Sequence, residues 1–525
     1  LIRSPLKIAL IAPFAKTGYD MVSRQKYLEK FIKQRVFRTI RQLAVVKKEL
    51  DQKIMPVLTD LENDEFSKKS TEVRHLILPK QGLPKEEILN ALNTVDKYLV
   101  DEGRVSGGIY MKKEEHPFHQ RIYEKISGRN PMHNDLWPGL QDKENQTIEM
   151  CLRLFNAPTD AFGMMTGGGT ISIFMACLAA RNRAKNFFFP ETAPEIIVSD
   201  RAHPAFKKAC DILDIALITV KTNPKSFKID LTDLKAAITP NTIMLVASAP
   251  AFPEGIIDDV SSVAKMAACY DILCHVDCCL GGFLLPFAKG AGLTVPSYDF
   301  SVLGVTSLSA DTHKYGLSEK GNSCIFFYDY DDLGKYATFT DLESKMGMYV
   351  SLGLEGSRPV RVDAWASLLA TGKEGYTENL RKMLVMKKAI LKGIDEMGGI
   401  HVSGNPLLPI FAIRADNPKQ VNALLIASKM HEKNWIINGL PNPPGFHFCI
   451  TPTHINNKNF VKDFLNDLRE ATGYAMRNSQ EKPSGTLGMY EMFANKIPKN
   501  IQGPVLEEIG KKYLYILGSA TRHYS

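Results

Sequence analysis

The chain has 525 residues, 44% of them hydrophobic and 23% charged, and carries a formal net charge of +8. This is an ordinary composition for a soluble globular protein, too long for one hydrophobic core, so two or three structural units are expected. The modest charge tolerates anionic partners, but no nucleic-acid motif accompanies it and no nucleic-acid partner is expected.

In chain order, residues 1–105 read as an N-terminal helical segment. Within it YLEKFIKQRVFRTIRQLAVVKKEL (27–50) is basic, with Phe31, Val36, Ile40 and Val45 at helical spacing. It reads either as a helix packed on its own protein or a second subunit, or as a peripheral contact with an acidic membrane surface. No run approaches the ~18 consecutive apolar residues of a spanning helix, and LKIALIAPF (6–14) is too short. The chain starts at Leu1, which leaves room for a removed upstream signal or anchor.

Residues 106–372 alternate short apolar strands with amphipathic helices. EIIVSD (195–200), ALITVKT (216–222), TIMLVASAP (242–250) and ILCHVDCC (272–279) read as strands. HPAFKKACDILD (203–214), LTDLKAAI (231–238) and DDVSSVAKMAACYD (258–271) read as the helices between them. The alternation predicts an α/β domain with a mostly parallel sheet and helices on both faces. Residues 373–525 begin with a long helix. HVSGNPLLPIFAIRA (401–415), a further helix and FHFCITPT (446–453) then predict a smaller α+β domain. The nine cysteines lack paired CxxC spacing, so neither a metal site nor a disulfide framework is expected, and buried free thiols are the simplest account.

Four pieces of the middle region carry chemistry. TGGGT (166–170) runs into an apolar helical stripe, and such a turn offers backbone amides to a phosphate. It fits neither the P-loop nor the GxGxxG pattern. His203 follows a strand in SDRAH (199–203). Asp277 closes the strand in HVDCC (275–279), where open α/β sheets place ligands. Lys314 lies in SADTHKYG (309–316), after another apolar strand, where partial burial is expected to lower its pKa. Taken singly, the glycine turn, the aspartate and the lysine read first as an ordinary helix-start turn, a capping aspartate and a surface lysine.

In this order, with Lys314 37 positions after Asp277, the pieces resemble the aspartate aminotransferase-like fold that binds pyridoxal 5'-phosphate (PLP), fold type I. That resemblance implies that Gly168, Gly169 and Thr170 hold the cofactor phosphate and that His203 stacks on the ring. Asp277 would keep the pyridine nitrogen protonated, and Lys314, beside His313, would carry the aldehyde as a Schiff base. More closely, DTHKYG (311–316) with SEKGNS (318–323), HVDCCLGGFLLPF (275–287), GRVSGGIY (103–110), NPMHNDLWPGL (130–140) and NWIINGLPNPPGFHFCITPTH (434–454) are similar to motifs of the sphingosine-1-phosphate lyases, from about 75 to 515. This implies a homodimer with active sites shared between subunits. The sequence leaves the compartment open between the cytoplasm and the cytosolic face of an organelle membrane such as the endoplasmic reticulum. It also implies retro-aldol cleavage of a phosphorylated sphingoid base to a long-chain aldehyde and phosphoethanolamine. By the same resemblance Tyr110, His133 and Lys320 serve the substrate phosphate and nearby proton transfers, Asn130 orients this group, and Ser357 and Arg358 reach the neighbouring subunit's site.

The chain departs from the lyase pattern at three points: Gly167 replaces a serine, Ile171 a glutamate, and Val360 a glycine after Arg-Pro. The alternative activity is that of a PLP-dependent amino-acid decarboxylase of the glutamate decarboxylase-like group. A non-catalytic scaffold is the third reading, and intact Asp277, His313 and Lys314 speak against it.

Overall fold

A computed structural model describes residues 78–92, 102–185 except 132 and 134, 193–329, 337–339, 350–352, 358–483, and 487, 488, 490 and 491. The basic segment 27–50 and Ser357 lie outside the described residues. The chain divides into two units, one of residues 98–481 and one of residues 1–97 with 482–525. In the latter the described part includes helix α1, Lys85–Ala91, whose residues are all exposed.

The unit 98–481 opens with α2 (His116–Ile126) and α3 (Pro138–Leu154), then β1 (Phe162–Thr166) and α4 (Gly169–Lys185). There follow β2 (Glu195–Ser199), α5 (Ala205–Ile212), β3 (Ala216–Val220), α6 (Leu231–Ala237), β4 (Thr242–Ser248), α7 (Val260–Cys269) and β5 (Leu273–Asp277). The strands β6 (Ser307–Ala310) and β7 (Ser323–Phe327) complete a seven-stranded sheet of order β1-β7-β6-β5-β4-β2-β3. Its β3, β2, β4, β5 and β6 pair in parallel, and β7 runs antiparallel to both β6 and β1. This is the predicted alternation with one reversed strand near the edge. The crossover helices begin where local chemistry stops them fraying. Asp230 accepts from the Thr232 and Asp233 amides at the start of α6, and Asp259 accepts from the Ser262 amide at the start of α7.

Helix α4 is apolar on two stripes because it is buried on two sides. Ile173, Cys177 and Ala180 pack with Ile196 and Val198 of β2. Met175, Ala176 and Ala179 pack with Met164, Ile325 and Phe327 of β1 and β7. The central strand β4 is buried along its whole length, as a strand covered on both faces must be.

A two-stranded ribbon, β8 (Ala337–Phe339) with β9 (Val350–Leu352), precedes the helical run α8, Arg361–Asp395, which is broken at Gly372 (φ 61°, ψ 171°). A second sheet follows, β10 (Ile400–Val402), β11 (Ile410–Ala415), β12 (Asn438–Pro441) and β13 (Pro444–Cys449), antiparallel in the order β10-β11-β13-β12. Helices α9 (Ala423–Glu432) and α10 (Phe460–Arg477) accompany it. Trp435, Phe448, Phe460 and Phe464 are fully buried there, with Phe448 and Phe464 4.9 Å apart. All nine cysteines are free thiols, eight of them buried and Cys269 exposed.

Candidate active site

The parallel order brings the candidate residues to one edge. Asp277 ends β5, His203 follows β2, and the Lys314 loop follows β6, so all three leave the C-terminal ends of parallel strands. Strand β7 is antiparallel to both β1 and β6, so β1 points the same way as β6 and delivers Gly167–Gly169 to that edge too. The start of α4 thereby faces the lysine loop; the Ile171 and Ser172 amides donate to the Gly168 carbonyl, and the Gly169 and Thr170 amides before them have no helical carbonyl to reach.

Two glycines are required here, Gly168 by its backbone conformation and Gly169 by the close approach. Gly168 has φ +143°, and a Cβ there would stand 3.7 Å from the His313 ring. A Cβ on Gly169 would fall 2.7 Å from both carboxylate oxygens of Asp311. Asp311 is almost fully buried and is the centre of the cluster. Its Oδ2 pairs with Lys314 Nζ at 2.9 Å, and its Oδ1 accepts from Ser323 Oγ at 2.6 Å. His313 Nε2 stands 3.7 Å from Oδ2. Ser323 continues through Ser172 (2.8 Å) to Thr166 (2.7 Å), so a chain of hydroxyls ties the glycine turn to the lysine loop.

The expectation that burial lowers the Lys314 pKa is corrected. Burial does pull the ammonium down, but the Asp311 carboxylate outweighs it and holds Lys314 above the ordinary lysine range. Asp311 answers in kind: burial pushes it up, yet Lys314, His313 and Ser323 keep it below the ordinary aspartate value. An acid three residues before a lysine was the signal available in the sequence, and sequence reasoning misses Asp311 all the same.

His203 is exposed to solvent, yet partial desolvation still lowers it, and Asp277 and Lys314 both act on its ring, which sets the three groups in one neighbourhood. Its Nδ1 accepts the Ala205 amide at 3.2 Å, so in the neutral ring the proton sits on Nε2. Asp277 is buried, and its Oδ1 accepts the Cys279 amide at 3.0 Å. The buried Tyr110 has its hydroxyl pushed above the ordinary phenol range by burial, which keeps it a neutral donor. Lys320 Nζ lies 4.8 Å from the Tyr110 ring centroid and donates to the His313 carbonyl at 3.2 Å. Burial and the nearby Lys314 lower Lys320 below the ordinary lysine value. A cavity of about 480 Å³ opens beside Lys320, with Glu319, Tyr123 and Val360 in its lining.

Gly168, Gly169, His203, Asp277, His313, Lys314, Tyr110 and Lys320 are thus brought together. Thr170 sits exposed in the first turn of α4. Asn130 and His133 are exposed between α2 and α3, where the His133 amide donates to the Asn130 carbonyl at 3.0 Å. Arg358 is exposed just before α8.

The arrangement fits a phosphate-bearing aromatic aldehyde. It offers the Gly169 and Thr170 amides for the phosphate, an amine, a strand-end carboxylate for a ring nitrogen, and a buried His313 Nδ1 with no partner among the described residues. Comparison with known proteins agrees. Residues 127–415 match the family model described as the pyridoxal-dependent decarboxylase conserved domain. The chain is 35% identical over 481 residues to sphingosine-1-phosphate lyase 1 of Rattus norvegicus, covering 90% of this chain and 83% of that protein. It is 33% identical over 510 residues to the sphingosine-1-phosphate lyase of Dictyostelium discoideum, covering 94% and 92%. Among solved structures, a Burkholderia pseudomallei sphingosine-1-phosphate lyase matches with TM-score 0.73 at 29% identity, covering 79% of this chain and 96% of that one. A Lactobacillus brevis glutamate decarboxylase shares the fold with TM-score 0.67 at 19% identity, covering 77% and 96%.

Proposed function

The chain belongs to the sphingosine-1-phosphate lyase family, and from that premise we propose that it cleaves the Cα–Cβ bond of phosphorylated long-chain sphingoid bases. The reaction is a retro-aldol cleavage to a long-chain aldehyde and phosphoethanolamine, with pyridoxal 5'-phosphate as cofactor. When bound, the cofactor supplies an electron sink for the bond broken at the α-carbon of an amine.

The chain's own residues divide the remaining work. Lys314 Nζ is the attachment point, and the Gly169 and Thr170 amides at the start of α4 receive the phosphate. Asp277 would hold the proton of the ring nitrogen, His203 would cover the ring face, and His313 would offer its Nδ1, which has no partner among the described residues. Tyr110 and Lys320 lie against each other near Lys314. Lys320 is a point charge for the substrate phosphate, and the neutral Tyr110 hydroxyl can hold or pass a proton near the β-hydroxyl. The observation that carries the reading is the Asp311–Lys314 pair at 2.9 Å, set at the start of the glycine-led helix.

Asn130, His133 and Arg358 are exposed on this protomer, which supports a homodimer in which one subunit's surface completes its partner's site. The place of work is the cytoplasm or the cytosolic face of an organelle membrane. Among the described residues no helix is long and apolar enough to cross a membrane.

The test is a product assay with sphingosine-1-phosphate and added PLP, with Lys314→Ala as control. Equal amounts of long-chain aldehyde and phosphoethanolamine, absent in the variant, are expected. Cofactor bound at Lys314 with no aldehyde formed would overturn the lyase reading and leave amino-acid decarboxylation.

A further inference from the structure

Strands β5 and β6 run parallel with His275 opposite Ser307 and Asp277 opposite Ser309. Strand side chains alternate between faces. The His-x-Asp of one strand and the Ser-x-Ser of the next therefore gather four polar groups on one face, at the edge where the site lies. They are linked in series. Ser307 Oγ stands 2.9 Å from His275 Nδ1, and Ser309 Oγ stands 3.2 Å from His275 Nε2. Ser309 Oγ then stands 3.4 Å from Asp277 Oδ1, the longest step of the three. All four residues are buried, His275 and Ser309 completely.

Buried polar groups this close are worth a donor-by-donor account. Burial depresses His275 to about 4, so its imidazole is neutral and carries one N–H. A serine hydroxyl carries one proton. If Nε2 holds the imidazole proton, it donates to Ser309 Oγ, Ser307 donates to Nδ1, and the Ser309 hydroxyl is free to donate to Asp277. In the other tautomer Ser309 must donate to His275, and Oδ1 of Asp277 keeps only the Cys279 amide. An ionised Asp277 therefore selects the first tautomer, and the first tautomer stabilises the ionised Asp277.

We infer that Ser309, His275 and Ser307 are positioning residues that keep Asp277 ionised and aimed, and through it keep the proton on the ring nitrogen of bound PLP. The inference rests on Asp277 being the partner of that nitrogen, as proposed above. Without the Ser309 donor the carboxylate is less well stabilised, and the shared proton moves from the ring nitrogen toward Asp277.

The experiment uses the full chain as wild type, Ser309→Ala and His275→Leu, each loaded with PLP isotopically labelled at the ring nitrogen. Two quantities are read: the ring-nitrogen chemical shift by NMR, and the PLP dissociation constant by absorbance. The wild type is expected to give a pyridinium shift. Both variants are expected to move toward neutral pyridine and to bind PLP about three- to tenfold more weakly. A purely structural role would leave the shift of the bound cofactor in place. Should His275→Leu fail to fold, Ser309→Ala decides alone, because it removes a single oxygen. A pyridinium shift in Ser309→Ala equal to that of wild type overturns the inference. A wild type that binds no PLP, or binds it without a pyridinium signal, overturns instead the reading on which the inference stands.

Discussion

At the scale of single residues, the site turns on Asp311. Its charge is the reason Lys314 is held protonated against its own burial. Asp311→Asn removes that charge and leaves burial in control, so Lys314 gives up its proton at lower pH. Attachment to an aldehyde needs the neutral amine. The rate at which cofactor-free enzyme takes up PLP, measured against pH, should therefore shift to lower pH in the variant, by about one unit or more. An unchanged profile would mean that the pair does not control the amine. Lys314, Asp277 and the glycine turn were legible in the sequence because residue type, strand-end position and order all point the same way. The raised Lys314 was not, because it depends on which carboxylate lies within hydrogen-bond distance. Glycine 169 shows the same limit: the motif marks a turn, but only the fold shows that a Cβ there would meet the Asp311 carboxylate.

At the scale of elements, the lysine loop is braced by α2, which has no counterpart in the sequence reading, and by the first turn of α8, which starts ahead of the long helix expected from 373. Asp363 in the first turn of α8 accepts the Glu319 amide at 2.7 Å, one residue before Lys320. Its other oxygen meets His119 Nδ1 of α2 at 2.5 Å, and both side chains are buried. Breaking a buried pair by removing one partner costs about 3–5 kcal/mol, so Asp363→Ala should destabilise by that order and loosen Lys320. Burial pulls His119 down, but Asp363 more than reverses this and leaves it above 6.5. A raised imidazole contributes stability that is complete below its unfolded value and is lost as pH rises through the folded value. The excess in melting temperature of wild type over His119→Leu should therefore narrow as pH climbs from about 6.5 through the raised folded value, measured by thermal unfolding at each pH. A constant difference would show that the pair does not titrate. The sequence pattern predicts no helix over α2 and only the later part of α8, and nothing local to either signals that residues 244 positions apart meet.

At the scale of the whole unit 98–481, the two sheets are joined through the loop after β4. Gly255 has φ +70° there, and a Cβ on it would stand 2.3 Å from the Ile410 carbonyl of β11, so only glycine permits the approach. Beside it the fully buried Glu254 accepts from Arg414 Nη2 at 2.6 Å and faces Arg201 at 3.7 Å, two residues before His203. The alternation of strands and helices was readable along the chain, but this junction was not. Glu254 and Arg414 are 160 positions apart, and an acid in a Pro-Glu-Gly turn carries no local sign of its partner. Glu254→Ala would strand a buried guanidinium, at a cost of about 3–5 kcal/mol. Replacing Glu254 and Arg414 together by apolar residues of similar size should recover most of that loss, since the pair's own desolvation disappears with it. Chemical denaturation separates the two effects. If the junction also steadies His203, the double variant regains stability while its affinity for PLP stays below that of wild type, because Arg201 has still lost the carboxylate it faces. Full recovery of both would confine the triad to holding the sheets together.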